Sequence, residues 1–319
     1  MKFRSTTPVV ESGILSALAI IFAFISAYLP VFGILIGFIW PVPIILLGVR
    51  HGYQYSIMAT LVAGLLIALL IHPLQALSVV VGFGLIGIAL GHAFRSRYSP
   101  AKTLMVGSAA SLICKLAVLA ITALMTGVNP LHMQMEAFDT AISQTMSFYQ
   151  NMGYNEADLQ KMTETMTVVV NLVKVILPAG LIMASVMDTL LNYWLAKKVL
   201  KKLGYVYMGL PPFPSWCLPR SILVLFLVGL GMLLLGRANE NELVTMIGTN
   251  VQVVGSVLLL VQGLALFYFL AAKYNLSRFV RGIILVLILT NGFFTQIVIL
   301  AGAFDMAIDY RHLRSPRLK

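Results

Sequence analysis

The sequence predicts an all-α fold, a polytopic integral membrane helix bundle in which a six-span N-terminal module precedes about three further transmembrane helices. Two observations carry most of this. Hydrophobic residues make up 60% of the 319 and charged residues only 10%, with mean hydropathy of +0.94. Several apolar runs also approach the roughly 20 residues that a helix needs to cross a bilayer. A third observation sets the topology: basic residues gather between alternate runs, as they do in cytoplasmic loops.

The runs fall at about 12–29, 33–49, 55–71, 75–94, 103–127, 167–195, 221–236, 248–272 and 281–303. The first reads as a retained span rather than a cleaved signal, because no small-residue cleavage site follows it and further spans do. Trp40-Pro41-Val42-Pro43 breaks the second. Proline removes a backbone donor, so this run is expected to begin as a loop and turn helical near Pro43.

Lys2 and Arg4 put the N-terminus in the cytoplasm. Arg50, the group Arg95, Arg97 and Lys102, the cluster Lys197, Lys198, Lys201 and Lys202, and the group Lys273, Arg278 and Arg281 all agree with eight crossings. The ninth breaks the pattern, since Arg311, Arg314, Arg317 and Lys319 would end outside. Either the tail defies the bias, or Asn291-Gly292 turns the last run into a re-entrant hairpin.

The segment at 129–166 then lies outside and holds Glu136, Asp139, Glu156, Asp158 and Glu164 against Lys161. Within it Leu131, Met135, Phe138, Ile142, Met146 and Tyr149 recur at helical spacing, predicting an amphipathic helix on the membrane surface or over a cavity. Asn155 is placed to cap the next helix, with Asp158 as a weak capping-box match. The organisation is thus a membrane module at 1–203, a cytoplasmic linker at 204–219 and a C-terminal membrane module with a basic tail at 220–319. Pro211, Pro212, Pro214 and Pro219 prevent a continuous helix in the linker.

The net charge of +11 reflects basic span ends and no basic domain, so no nucleic acid is expected as a partner. Cys114 and Cys217 are too far apart to suggest a disulfide framework or a metal site. No G-x-x-x-x-G-K-[ST] phosphate loop, H-E-x-x-H zinc motif or G-x-S-x-G elbow occurs. The reading therefore expects no enzyme, no metal and no cofactor, with the lipid bilayer as the first partner.

What remains is polarity inside the spans, which is costly in hydrocarbon and faces protein or water. Lys115 and Asp188 lie at depths that differ by roughly 5 Å at 1.5 Å per residue. They are expected to pair, either as a structural clasp or as part of a coupling or ligand site. Asn192, one turn beyond Asp188, extends that polar face. Lys174 lies near the outer end of the sixth span with Asn171 one turn before it. It is either a snorkelling lysine or a contact for a polar ligand.

One face of the first span is bare: Ser12, Ser16, Ala19, Ala23 and Ala27 share it. Helices in lipid associate through close backbone approach at small residues. The face packs inside this chain's own bundle or docks another membrane subunit.

With Ala19-Ile20-Ile21-Phe22-Ala23 in the first span, and Pro43, Gly48, Gly52, Ala59, Ala63 and Gly64 after it, residues 10–200 resemble the substrate-capture (S) subunits of energy-coupling factor transporters. The whole chain is similar to the YybS-like predicted membrane proteins. The resemblance implies a six-helix S-subunit-like module whose alanine motif docks a membrane coupling subunit driven by two ATPases. It also implies an unidentified small-molecule ligand near the outer surface, with Trp40, Gln75, Asn129, Asn171 and Lys174 as candidate contacts. The long outer segment and the spans after Pro219 depart from that pattern. The expected function is a membrane-embedded solute-binding component of a transporter. The alternative is a non-transport membrane scaffold or envelope-regulation protein that recruits a partner through its first helix.

Overall fold

The computed structural model describes residues 7–29, 36–205 and 207–313. Among them all regular structure is helical. In chain order the helices are α1 (Thr7–Tyr28), α2 (Pro41–His51), α3 (Tyr53–Leu70), α4 (Pro73–Val79), a π-helical turn at Val80–Gly84, α5 (Leu85–Arg95), α6 (Pro100–Thr126) and α7 (Pro130–Asn151). There follow α8 (Glu156–Lys202), α9 (Ser221–Ala238), α10 (Glu242–Lys273), α11 (Arg278–Thr290) and α12 (Gly292–Ile308). Lys2, Arg4, Arg314, Arg317 and Lys319, which carry part of the orientation expectation, lie outside the described residues, as does the side chain of Gln75.

Six helices are long and apolar enough to cross a membrane, or seven crossings if α11 and α12 together make one. Three of the nine runs read from the sequence do not form single straight helices of that length among the described residues. The second run is already helical at Ile36, before the prolines, which corrects the loop expected there, and its described helix Ile36–His51 is still short of a bilayer core. The fourth run is broken by the π turn that separates α4 from α5. The last run bends by 102° between α11 and α12. Asn291 makes the break, its side chain accepting from the Phe293 N–H to cap α12. The two arms have 13 and 17 residues, about 20 and 25 Å at 1.5 Å per residue, each shorter than the ~30 Å core.

The chain divides into two units: Met1–Val170 with Leu181–Gly209, and Asn171–Gly180 with Leu210–Lys319. The 47-residue α8 contributes to both.

In the first unit, local chemistry sets the helix starts. Ser99, Asn129 and Asn155 cap α6, α7 and α8 by accepting from Lys102, Leu131 and Asp158 N–H groups. Pro100 and Pro130 take first-turn positions, where no donor is needed. The core gathers Leu15, Ala19, Ala23, Trp40, Ile44, Leu47, Ala59, Ala63 and Ile67 from α1, α2 and α3. Ser16 Oγ reaches the Ala59 carbonyl, and Ala19 and Ala23 are fully buried.

The bare face of the first helix is therefore covered by the chain itself. This corrects the partner-docking expectation for Ser16, Ala19 and Ala23: small residues here admit α3, where Ala59 and Ala63 answer them. Ser12, bonded to the Pro8 carbonyl, and Ala27 are half-buried.

The second unit uses glycine in the same way. Gly229 and Gly236 on α9 and Gly248 and Gly255 on α10 bring two backbones together; a Cβ added at Gly248 would lie 2.4 Å from the Leu233 nitrogen. α12 crosses α10 where a Cβ at Gly302 would meet the Leu259 carbonyl oxygen at 2.1 Å.

Pro178 interrupts α8. Next to it the Ala179 N–H donates to Asn250 Oδ1 at 2.9 Å, while Asn250 Nδ2 donates to the Val175 carbonyl at 2.8 Å. The carboxamide of α10 thus completes the backbone ladder of α8. Proline is tolerated in membrane helices when a neighbour re-satisfies the freed groups. Asn250→Leu leaves both groups unpaired and is expected to destabilise by about 2–4 kcal/mol. Pro178→Ala in that background restores an unbroken helix and should return most of the loss, read as thermal stability of the purified proteins. Additive losses would show that the two residues act separately.

Candidate functional site

Two features bring chemistry-bearing side chains together within single units. The first is intramembrane. Lys115 on α6 forms an ion pair with Asp188 on α8, and its ammonium also donates to Ser111 Oγ at 2.8 Å. Ser111 and Asn192 are buried. Asn192 Nδ2 donates to the Asp188 carbonyl at 2.9 Å, and its Oδ1 has no hydrogen-bond partner among the described residues. The helical offset of four places Ser111 with Lys115 on one helix and Asp188 with Asn192 on the other. A lysine and an aspartate inside a span satisfy each other and use polar neighbours for their remaining valences.

The second is a cavity of about 520 Å³ in the second unit, lined by Val175, Gly236, Arg237, Glu240, Glu242, Thr245 and Met246. It lies at the turn between α9 and α10. Asn241 caps α10 by accepting from the Val244 N–H, and Glu240 takes a left-handed conformation with φ of 53°. Arg237 and the two carboxylates thus line the same cavity as the apolar Val175 and Met246.

The candidate contacts taken from the resemblance are divided between the two units. Trp40 is buried at the start of α2, where its Nε1 donates to the Ala19 carbonyl at 2.8 Å. It fastens α2 to α1. Asn129 is spent capping α7. Gln75 lies on α4. Asn171 and Lys174 are exposed on α8 and group with the second unit. Asn171 is one turn before Val175 and shares its helix face, next to the cavity wall.

Two charged clusters escaped the sequence reading. Glu11 on α1 pairs with Arg50 and lies 2.6 Å from His51 Nε2, tying the first helix to the end of the second. Asp305, Arg311 and Gln262 form a buried group in the second unit. Arg311 Nη2 lies 2.8 Å from Asp305 Oδ2, and Gln262 Nε2 donates to the same oxygen at 2.6 Å. Arg311 also donates to the Pro214 and Trp216 carbonyls at 2.6 and 2.8 Å, and Gln262 Oε1 accepts from the Leu218 N–H. This group fastens the proline-rich segment to α10 and the end of α12. Its signal in the sequence was an acid at the edge of an apolar run with an arginine six residues on.

Six crossing-length helices, a charge pair within them and capped helices between them define a multi-pass helical membrane protein. The family model described as Predicted membrane protein (DUF2232) matches residues 17–306, and the chain belongs to that family. Among curated proteins it is similar to the "Uncharacterized protein YybS" of Bacillus subtilis (strain 168), at 24% identity over 309 residues, covering 97% of this chain and 99% of the relative. No solved structure matches it.

The Lys115–Asp188 pair makes a direct prediction. Either Lys115→Ala or Asp188→Ala strands a charge in the span and is expected to destabilise by about 3–5 kcal/mol, while the double change recovers much of that. Thermal unfolding of the four proteins in one detergent measures the coupling.

Proposed function

We propose that the chain is the membrane-embedded, solute-binding component of a transport system in a bacterial cytoplasmic membrane. It captures a small polar molecule and draws energy from a separate protein. The cavity beside Val175, Arg237 and Glu240 carries this reading. Its volume suits a metabolite, and apolar walls with a few charged groups are the usual make-up of a small-molecule site. Arg237 with Glu240 and Glu242 favours a solute bearing both charge signs.

Basic residues support the orientation. With Lys197, Lys198, Lys201 and Lys202 in the cytoplasm, the turn at the far end of α9 lies outside, where a solute arrives. Lys174 and Asn171 belong to the same outer stretch of α8. An energy source elsewhere follows from the missing phosphate loop, and the likeness of residues 10–200 to substrate-capture subunits points to a coupling subunit with ATPases. Both the scaffold alternative and the coupling-subunit contact implied by the resemblance drew on the small face of the first helix, which is taken up within the chain, so a coupling subunit would dock elsewhere.

Mass spectrometry of small molecules released from the full-length protein, purified in mild detergent, tests the proposal. The wild type should retain a solute that Arg237→Ala loses by about tenfold, since a hydrogen bond to a charged group contributes roughly 1.5–3 kcal/mol. Arg237 is exposed, so the ligand-free variant should melt with the wild type. An identical set of released molecules from both proteins would sink the solute site.

A further inference from the structure

A second cavity lies in the first unit, where α5, α6 and the end of α8 meet. It measures about 210 Å³ and is lined by Phe94, Arg97, Tyr98, Thr103, Tyr193 and Tyr207. Its walls are aromatic and fixed. Phe94 stacks on Tyr193 at 5.2 Å with 17° between the planes, and Tyr207 meets Phe94 edge-on at 5.3 Å. Tyr193 donates its hydroxyl to the Met208 carbonyl at 2.9 Å, which holds that segment against the cavity.

Its charge is of one sign. None of the lining residues is acidic. Arg97 closes the C-terminus of α5 in a left-handed conformation with φ of 51°, the Tyr98 N–H returning to the Ala93 carbonyl, and this turn sets its side chain at the cavity. Its guanidinium makes no hydrogen bond or ion pair among the described residues. Lys102 lies 3.9 Å from the Tyr98 ring centroid. Burial pushes the Tyr207 phenol up, while Arg97 and Arg95 pull it down, so both guanidiniums act on the cavity's edge. The positive-inside bias accounts for Lys201 and Lys202 on an open surface. It does not account for a stacked aromatic box faced by an arginine with no acid to meet.

We propose that this cavity binds a phosphate group, carried by an anionic phospholipid headgroup or by a small soluble phosphate ester. Arg97 supplies the planar fork that matches phosphate oxygens. The tyrosine and phenylalanine faces hold the attached carbon skeleton. The volume limits that substituent to the size of glycerol or a single ring. This site is separate from the solute cavity and stands or falls independently of it.

The test uses the full-length protein and three variants. Arg97→Asn removes the charge while keeping a residue that tolerates the left-handed turn. Tyr207→Ala removes one wall. Lys201→Gln/Lys202→Gln removes two charges outside the cavity. Native mass spectrometry from vesicles of phosphatidylglycerol and phosphatidylcholine reads lipid retention, and thermal shift with inorganic phosphate in detergent reads the soluble source. Retention of phosphatidylglycerol that falls about tenfold in Arg97→Asn and in Tyr207→Ala, but not in the double lysine variant, supports the headgroup. A phosphate-dependent rise in melting temperature that Arg97→Asn abolishes supports the soluble ester. Two results would overturn the site: no preference for phosphatidylglycerol together with no phosphate shift, or a double lysine variant that loses as much as Arg97→Asn.

Discussion

Asn250 completes a backbone ladder that Pro178 has opened, and the need it answers runs through the whole molecule. In hydrocarbon no water replaces a missing hydrogen bond, so each polar group in a span needs a partner in the protein. Lys115 and Asp188 answer the same need with charge. Arg311 answers it at the edge of the second unit, where one guanidinium serves Asp305 and two loop carbonyls. In each case a side chain from one element is committed to another element's polar atoms, and that commitment fixes which helices are neighbours.

Packing follows from the complementary constraint. Apolar burial between helices contributes little when lipid is the alternative, so close approach decides. α1 meets α3 through Ser16, Ala19 and Ala23 against Ala59 and Ala63. α9 meets α10 through paired glycines seven residues apart on each helix. A small-residue stripe thus identifies a contact surface without identifying the partner. In α1 the partner is this chain's own third helix, seated beside Trp40 and its bond to the Ala19 carbonyl.

The two cavities differ in kind. The larger, at the α9–α10 turn, mixes charge signs over an apolar floor, as suits a small polar solute. The smaller is boxed by aromatic rings and faced by Arg97, with basic charge alone. Each is built within one unit, so each can be tested by side-chain changes that leave the other untouched.

Composition and apolar run length were enough to make this a multi-pass helical membrane protein, because the bilayer leaves a chain this apolar few other folds. The cap at Asn155 and the possible turn at Asn291 were also legible, since each depends on a few adjacent residues. The Lys115–Asp188 pair could be read from depth alone, because a charge in a span has few places to go. Which surface the first helix covers could not be read, since a stripe of alanines looks the same facing a partner or its own bundle. Nor could the bond between Asn250 and the flank of Pro178, the grouping of Asp305, Arg311 and Gln262, or the aromatic box around Arg97. These join residues far apart in the chain, and only the packed helices bring their side chains within hydrogen-bonding or stacking distance.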